Sequence, residues 1–465
     1  MTGGQDGPHS IGEDISSRWL TSRCENSGEC VEFTLQKGPP SETMRFRGMN
    51  PFLTKLLLDD PVVITGTGVV SAAGLSAGDL WQNARSANVN ARWRDFEFGG
   101  ESFHRAVCAA PDFESEIAPF PRARKMDRAA QFGLAAAYQA WKHAGLDADV
   151  PPDRIGVCMG TSRGPVEKRT MAMDGKRPRR LLPTFAANCT IGSFNGAVSQ
   201  FLGLHGPSFT VSTTCASSAA AIALGAEQIL LGLADAMVAG GTDAPLHPYI
   251  IAQLDAAGVL GSHDDPLRTC RPFDRSRNGI CLGEGAAVLI LESARSARRR
   301  GAQVLGRLSG WATGVENAGR AGVGQGGGML ANTMNRALQS AGLTPDAIDY
   351  VNAHGTGTVV NDAAESGAMR KVFGDQATLP PCSSTKPITG HCMGATPAME
   401  AILCLEALRH QAIPPTANCT DQDPACRVDV VPLETRGARL RTVMSTSLGF
   451  WGSHAALIFS AGAQA

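Results

Sequence analysis

The residues Val211-Ser212-Thr213-Thr214-Cys215-Ala216-Ser217-Ser218 join two predicted elements. The apolar and β-branched residues 209–211 predict a strand, and residues 216–233 carry apolar side chains at helical spacing. Cys215 is therefore expected where a strand turns into a long helix. Because the free N–H groups and the dipole of a helix N-terminus favour a thiolate, the pattern predicts a nucleophilic cysteine with a lowered pKa. The alternative is a buried structural cysteine, since free cysteine is among the most buried residue types.

Length and composition indicate a large α/β chain with two units. The chain has 465 residues, which is too long for one ordinary core. Of these residues, 43% are hydrophobic and 18% are charged. Its net charge of −1 provides no field that would recruit nucleic acid or an anionic membrane. No run approaches the roughly 18 apolar residues of a membrane span, so no spanning segment is predicted.

The cysteines favour a reducing compartment over a disulfide or metal framework. The chain has 13 of them, but no C-x-x-C pair and no Cys/His zinc spacing occurs. Residues 1–20 lack the apolar segment of a signal peptide. We therefore expect no metal and a cytoplasmic location.

Periodicity divides the chain into an arm and two halves. Residues 1–60 show little periodicity and predict an irregular, disordered N-terminal arm, within which Met44 and Met49 are alternative starts. Residues 61–300 form the half that carries Cys215, and residues 301–465 repeat the alternation of strands and helices. The boundary is placed in the charged segment 295–301.

A short glycine motif follows the first predicted strand. Gly66-Thr67-Gly68 comes after the apolar residues 62–64, but the third glycine of a nucleotide-binding motif is absent. The two glycines are therefore expected to turn the chain at the end of the strand rather than to hold a phosphate.

Two further motifs place histidines in loops after predicted strands. The first is Asn352-Ala353-His354-Gly355-Thr356-Gly357-Thr358, and the second runs from Ser384 through Lys386 and His391 to Ala395. In α/β sheets, ligands bind beyond the carboxyl ends of strands, where Cys215 is also expected. One such histidine is more often structural, but two of them together with a similarly placed cysteine favour a catalytic site.

These three motifs, in this order, resemble those of the β-ketoacyl-[acyl-carrier-protein] synthases, the elongating condensing enzymes of the thiolase-like superfamily. The resemblance covers about residues 61–460. It implies an α/β fold in which two pseudo-duplicated halves form a layered α-β-α-β-α core. It also implies decarboxylative condensation of a malonyl group with an acyl group, in fatty-acid, polyene or polyketide-type elongation.

The resemblance also implies roles for six residues. Cys215 would take the acyl chain, and His354 and His391 would support decarboxylation and stabilise the enolate. Lys386 would hold the histidine region, Glu400 would be a buried supporting acid, and Phe450 would be a mobile gate. For Glu400 the alternative is an ordinary carboxylate on a helix surface. The backbone N–H groups of Cys215 and Phe450 would form an oxyanion hole, and no cofactor is implied.

The implied partner is an acyl carrier protein that bears substrates on its phosphopantetheine. A homodimer is expected, and a heterodimer with a chain-length-factor-like homologue is the alternative. A basic segment is a candidate carrier-docking surface, with an ordinary solvated face as the alternative, and comprises Arg122, Arg124, Lys125 and Arg128.

Two segments depart from the family pattern. Trp451 stands where the family has glycine beside the gate, and Arg277-Asn278-Gly279-Ile280 replaces a usual Arg-Asp-Gly-Phe. Both departures favour a specialised pathway over housekeeping fatty-acid synthesis. Trp451 is expected to reshape the motion of the gate.

Two other functions remain open at the level of sequence. The chain could be one subunit of a ketosynthase/chain-length-factor pair, although an inert subunit would typically lack the cysteine. It could also be a Cys/His thioester hydrolase built from Cys215, His354 and Asn352. That arrangement leaves the second histidine loop and its lysine unexplained.

Overall fold

A computed structural model describes residues 56–57, 59–146, 150–171, 183–317, 324, 326–374 and 379–462. These residues belong to one compact unit, Gly48–Ala465. Met44, Met49 and all but the last few residues of the predicted N-terminal arm lie outside the described residues. Within the described part, no helix has the length and apolar character needed to cross a membrane.

The strands alternate with helices along the described residues. The strands are β1 Val62–Val70, β2 Arg92–Phe98, β3 Glu101–Cys108, β4 Ile155–Gly160, β5 Ser208–Val211, β6 Ala236–Asp243, β7 Leu282–Gly283, β8 Gly285–Ser293, β9 Gly306–Val315, β10 Tyr350–Asn352, β11 Cys382–Ser383, β12 Ala412–Ile413, β13 Arg436–Gly437, β14 Thr442–Leu448 and β15 Ser453–Ser460. The helices are α1 Ala77–Arg85, α2 Glu114–Ile117, α3 Arg128–Ala144, α4 Val166–Met171, α5 Phe185–Asn188, α6 Ser193–Leu202, α7 Ser217–Leu230, α8 Pro248–Ala256, α9 Ala294–Arg299, α10 Gly328–Ala341, α11 Val359–Phe373, α12 Lys386–Thr389 and α13 Thr396–His410.

The main sheet is built from two copies of one strand pattern. Its order is β11-β10-β14-β15-β9-β1-β8-β6-β4-β5. When the five strands of each half are numbered along the chain and followed outward from the junction of the halves, both halves have the order first-fifth-fourth-second-third. The parallel and antiparallel pairs also follow one another in the same way in both halves. The halves meet where β1 pairs antiparallel with β9. This internal repeat confirms the predicted pseudo-duplication.

Helices cover both faces of each half-sheet, and two of them lie between the halves. The central helices α7 and α13 are rich in Ala, Ile and Leu and share one core with strands of both halves. Helices α3 and α6 cover the outer face of the first half, and α10 and α11 cover that of the second. Such apolar strands are buried on both faces. The predicted α-β-α-β-α layering is confirmed.

Gly66 and Gly68 do not turn the chain, so that expectation was wrong. Both lie inside β1, which continues to Val70. A Cβ built on Gly66 would lie 2.8 Å from Cβ of Ala144, and one on Gly68 would lie 2.7 Å from the backbone nitrogen of Ala140. The glycines therefore allow α3 to approach the strand closely, a requirement that only the tertiary structure reveals.

Candidate active site

Cys215 lies in a tight turn between β5 and α7. Thr214, immediately before it, has a φ of +53°, which is unfavourable for a β-branched residue. Ser217, the first residue of α7, secures the turn, because its hydroxyl accepts from the backbone N–H of Thr213 at 3.0 Å and donates to the carbonyl of Thr161 at 3.1 Å. The predicted strand–turn–helix placement is confirmed.

The thiol of Cys215 is not activated by its helix in the way the sequence suggests. Burial raises its pKa to about 11, and the charges of Arg163 and Lys386 and the backbone N–H of Phe450 oppose that rise only in part. The side chain is buried in an apolar cluster with Met393, so desolvation of the thiolate outweighs these favourable interactions. The expected lowering of the pKa was wrong for this state of the site.

His354 and His391 share one cavity with Cys215. Their ring centroids are 5.4 Å apart and the ring planes are nearly perpendicular, at 84°. The cavity has a volume of about 510 Å³. Its remaining lining comprises Ala257, Gly258, Val259, Asn278, Ile280, Thr356, Thr358, Val359, Val360, Asn361, Met393, Leu448, Gly449 and Phe450. Val359 and Val360 are 59% and 58% exposed, so they lie at the mouth.

Both imidazoles are held neutral. Burial lowers the pKa of His354 well below its usual range, and the charges of Lys386 and His391 lower it further. Burial and the charges of Lys386 and Arg163 do the same to His391. A neutral imidazole donates one N–H and accepts at its other nitrogen, so the pair can stabilise a developing oxyanion and exchange a proton.

Two carboxylates of α11 shape the loop that carries His354. Glu365 accepts the backbone N–H groups of His354 at 2.7 Å and Gly355 at 2.8 Å, together with the hydroxyl of Thr446 at 2.7 Å. Asp362 accepts the backbone N–H of Thr356 at 3.0 Å. These bonds replace the backbone pairing that the loop lacks, and they fix the position of the histidine.

Both the backbone and the side chain of His391 are held by hydrogen-bond partners. Its backbone N–H donates to the carbonyl of Cys281 at 2.7 Å, and its Nδ1 lies 3.1 Å from the hydroxyl of Thr396. The turn after it is anchored by Asp243, which accepts the N–H of Gly394 at 2.7 Å. Asp243 ends β6, so the first half of the chain positions a histidine of the second half.

Lys386 and Glu400 form a buried ion pair at 2.5 Å. Both side chains are essentially inaccessible, so Glu400 is not the surface helix carboxylate considered as an alternative. Burial raises the pKa of Glu400 to about 7, and the charge of Lys386 opposes the rise. Lys386 thus supplies a fixed positive charge behind the two histidines.

Phe450 lies against the cysteine turn in the short 3₁₀ turn Phe450–Gly452. Its carbonyl accepts the hydroxyl of Thr214 at 3.3 Å. A Cβ built on Gly449 would lie 2.9 Å from the backbone nitrogen of Cys215, so only glycine permits this approach. The backbone of Gly449 thus packs against that of Cys215, and the N–H of Phe450 lies near enough to the Cys215 thiol to oppose the rise in its pKa.

Trp451 departs from its neighbours in both conformation and exposure. It has a φ of +62°, and its side chain is 64% exposed. It does not line the cavity beside Phe450. Any influence on the gate therefore acts through the backbone of the turn or at the surface.

The hydrolase arrangement is not assembled. Asn352 donates to the hydroxyl of Tyr350 at 3.2 Å and not to His354. Nδ1 of His354 has no hydrogen-bond partner among the described residues, so no third group orients it. A Cys–His–Asn triad requires that orientation.

The residues of the basic segment differ in how closely they are paired with acidic residues of the fold. Arg128 donates to Glu284, with 2.8 Å between Nη2 and Oε1, and stacks over Phe132. The guanidinium of Arg128 is therefore already paired within the fold. Arg122, Arg124 and Lys125 are exposed, and within the described residues their one ion pair is a 3.8 Å contact between Arg124 and Glu114.

Over the described ranges, no group of three or more potential ligands could hold a metal ion. The described cysteines are all free. The sulfurs of Cys108 and Cys281 are 3.7 Å apart and share a hydrogen bond, without a disulfide.

Sequence reasoning missed the residues that support the site. Asp362 and Glu365 follow His354 by eight and eleven positions, and their spacing of three on α11 was a signal for a shared helix face. Asp243 ends a strand after two glycines, but nothing local connects it to a histidine loop about 150 residues later. Arg163 carried no motif.

Models of known protein families match nearly the whole described chain. The N-terminal domain model of the beta-ketoacyl synthase family matches residues 59–297, and its C-terminal domain model matches residues 305–420. The chain belongs to the beta-ketoacyl synthase family. The resemblance inferred from the three motifs is confirmed, and this ketosynthase is an acyl-transferring condensing enzyme.

Curated relatives of this ketosynthase come from both fatty-acid and polyketide synthesis. A polyketide beta-ketoacyl synthase 1 of Streptomyces virginiae is 37% identical, over 86% of this chain and 97% of the relative. The 3-oxoacyl-[acyl-carrier-protein] synthase 2 of Coxiella burnetii is 35% identical, over 86% of this chain and 98% of the relative.

Solved structures of ketosynthases have the same fold. A beta-ketoacyl synthase from Burkholderia phymatum matches with a TM-score of 0.79 and 33% identity, covering 87% of this chain and all of the other. The ishigamide ketosynthase/chain length factor matches with a TM-score of 0.78 and 32% identity, covering 87% of this chain and 99% of the other.

Proposed function

We propose that this ketosynthase condenses an acyl group held on Cys215 with a malonyl group on an acyl carrier protein, releasing carbon dioxide and a β-ketoacyl carrier protein. The observation that carries the proposal is the single cavity that contains Cys215 and two neutral histidines. A hydrolase needs one histidine and an orienting group, whereas decarboxylation uses two neutral N–H donors.

Acyl transfer is the first step. The thiol of Cys215 loses its proton as the sulfur attacks the thioester of the incoming acyl group, and the carrier's thiol leaves with a proton. Because burial holds the thiol protonated at rest, a neutral histidine accepts the proton during attack. The backbone N–H groups of Cys215 and Phe450 stabilise the tetrahedral oxyanion.

Decarboxylation and condensation follow. The malonyl thioester loses carbon dioxide, and its electron pair forms an enolate whose oxygen accepts hydrogen bonds from His354 and His391. The enolate carbon attacks the acyl carbonyl on Cys215, and the cysteine sulfur leaves. Burial, reinforced by the positive charge of Lys386 in its pair with Glu400, keeps both imidazoles neutral and able to donate.

An acyl carrier protein is the proposed partner, delivering its phosphopantetheine through the cavity mouth. A ketosynthase that was solved in complex with its type II polyketide acyl-carrier protein matches this chain with 29% identity and a TM-score of 0.79. Exposed Arg122, Arg124 and Lys125 form the proposed docking surface for that acidic partner. Free buried cysteines support a cytoplasmic location.

A dimer is proposed through β5. This strand ends the main sheet and exposes Phe209, so a second chain can extend the sheet there. The second candidate is a heterodimer with a chain-length-factor-like homologue, which the match to a ketosynthase/chain length factor structure favours. In either assembly, Cys215 makes this chain the active subunit.

The decisive experiment follows the mass of the intact protein. The wild type and a Cys215→Ala variant are incubated with acyl carrier protein thioesters and then with malonyl carrier protein. We expect acyl mass on the wild type only, followed by its loss as a β-ketoacyl carrier protein two carbons longer appears. Cys189→Ala is the matched control, because Cys189 lies outside the cavity.

The other outcomes separate the alternatives. Acylation followed by release of free acid would favour a hydrolase. Acylation that requires an added homologous subunit would favour the heterodimer. Acyl mass on Cys215→Ala would show that another residue is the nucleophile.

A further inference from the structure

Four apolar side chains form the inner end of the cavity, next to Cys215. They belong to Val259, Ile280, Met393 and Phe450, and all four line the cavity and share one apolar cluster with the cysteine. An acyl group carried on the sulfur of Cys215 therefore meets these side chains, which we call the inner wall.

Met393 lies beside the cysteine turn because two segments of the chain meet at Gly241. A Cβ built on Gly241 would lie 2.6 Å from Cβ of Ser218 and 2.9 Å from the carbonyl oxygen of Gly394. Ser218 is three residues after the cysteine, and Gly394 directly follows Met393. The backbone N–H of Ala398 also donates to the hydroxyl of Ser218 at 2.9 Å. The close approach of these segments therefore places Met393 next to the nucleophile.

The backbone of Met393 is fixed in an unfavourable conformation. It has a φ of +51°, in the left-handed region that residues other than glycine rarely adopt. Before it, the carbonyl of His391 accepts the N–H of Gly283 at 3.1 Å, and after it, the N–H of Gly394 donates to the carboxylate of Asp243 at 2.7 Å. Such strain persists only where the surrounding structure enforces it. Any adjustment to a substrate at this position must therefore come from the side chain.

The side chains of the inner wall differ in stiffness. Val259 and Ile280 are β-branched, so their rotation about χ1 is restricted. Their backbones are also paired, since the N–H of Ile280 donates to the carbonyl of Val259 at 2.9 Å. Phe450 carries a planar ring of fixed shape. Met393 is unbranched and has a polarisable sulfur, and such side chains adapt to ligands of different shape. The most adjustable side chain of the inner wall therefore belongs to Met393.

We propose that Met393 determines which acyl groups Cys215 accepts, by turning its side chain aside for groups that are wide near the thioester. This inference rests on the proposed acylation of Cys215 and adds a specificity-determining residue to it. Because protein interiors are closely packed, a wide acyl group overlaps with the inner wall unless a side chain moves. Moving Met393 costs free energy, so a linear acyl group with the same number of carbons is favoured over a wide one.

The test compares two acyl donors that have equal numbers of carbons but different widths. Acylation of Cys215 by hexanoyl and tert-butylacetyl thioesters of N-acetylcysteamine is followed by intact mass. The quantity compared is the ratio of the tert-butylacetyl rate to the hexanoyl rate within each variant. This ratio cancels any effect on the reactivity of the cysteine itself, because both donors depend on it equally.

Two substitutions of Met393 should change the ratio in opposite directions. Met393→Leu keeps the buried volume but replaces an unbranched side chain by a stiffer, branched one, so we expect the ratio to fall on the order of tenfold. Met393→Ala removes the obstacle, so we expect the ratio to rise by a similar factor. The leucine variant decides the question by itself if the alanine variant does not fold.

Met334→Leu is the matched control. Met334 is as deeply buried as Met393, but it lies on α10 and does not line the cavity. The same chemical change there should leave the ratio at its wild-type value.

Three results would overturn the proposal. One is an unchanged ratio in Met393→Leu. Another is a loss of both donors by the same factor in both Met393 variants, which would show that the residue only supports the cysteine turn. The third is an equal fall of the ratio in Met334→Leu, which would show that the ratio responds to any change in the core. Failure of the wild type to accept either acyl group would reject the proposed acylation itself.

Discussion

Cys215 is surrounded by groups that act on its thiolate in opposite directions. Burial disfavours the charged sulfur, whereas Arg163, Lys386 and the N–H of Phe450 favour it. Desolvation wins because the side chain is only 5% exposed within an apolar cluster. The nucleophile is therefore stored as a thiol and becomes a thiolate only as the substrate reacts.

The first prediction concerns the pH dependence of this thiol. With a pKa of about 11, the thiolate fraction rises about tenfold for each pH unit below that value. Alkylation of Cys215 by iodoacetamide should accelerate throughout pH 7 to 10, without a plateau. Intact-mass kinetics checks this, and Cys215→Ala measures the background alkylation of the other cysteines, which is subtracted. A plateau below neutral pH would show that the helix N-terminus dominates after all.

The second prediction concerns the buried ion pair. Lys386→Met leaves the Glu400 carboxylate buried and unpaired, which should lower the free energy of unfolding by about 3–5 kcal/mol. The double variant Lys386→Met/Glu400→Leu removes both charges and should recover most of that loss. Denaturant unfolding measures both variants. A single variant as stable as the wild type would mean that Glu400 accepts a proton at little cost.

At the scale of elements, the turn between β14 and β15 brings the second half of the chain against the cysteine turn. Gly449 permits this contact because a side chain there would meet Thr214 and the backbone of Cys215. Trp451, two residues later, occupies a left-handed conformation that glycine adopts more readily. The turn therefore combines a tight contact on one side with a strained, exposed residue on the other.

The third prediction concerns that strained residue. Trp451→Gly removes about 1–2 kcal/mol of left-handed strain but adds freedom to the unfolded chain, so stability should change little. A looser backbone around Phe450 should alter the preference among acyl chain lengths, measured by competition between acyl thioesters. Trp451→Ala removes the indole but keeps the strain, so it separates the side chain from the backbone. An unchanged chain-length preference in the glycine variant would contradict this role.

At the scale of the whole molecule, the site depends on the joining of two copies of one fold. Cys215 comes from the first half, and both histidines, Lys386 and Phe450 come from the second. The central helices α7 and α13 lie between the half-sheets, and they begin just after Cys215 and the His391 loop, respectively. Neither half alone contains a complete site.

The fourth prediction concerns recognition of the carrier protein. Arg124→Glu/Lys125→Glu reverses two exposed charges and should raise the KM for carrier-bound acyl groups, with a weaker effect at high salt. Arg298→Glu/Arg299→Glu is the control, because it makes the same charge change at an exposed site on α9. A small acyl thioester should react equally with both variants. An unchanged KM for the carrier would reject this docking surface.

Three motifs could be found from the sequence alone, because the order of the Cys, His and Lys-His blocks is written along the chain. Their resemblance to the family implied the layered fold. The sequence also placed Cys215, His354 and His391 at strand ends, where sheets gather ligands. The charge state of these groups depends on the folded structure. Burial sets the thiol and imidazole pKa values, and contacts across about 150 residues, such as Asp243 with Gly394, set their positions. The packing that kept Gly66 and Gly68 within a strand likewise depends on distant residues. Desolvation and long-range contact depend on what surrounds a residue in the folded chain, and sequence spacing does not contain that information.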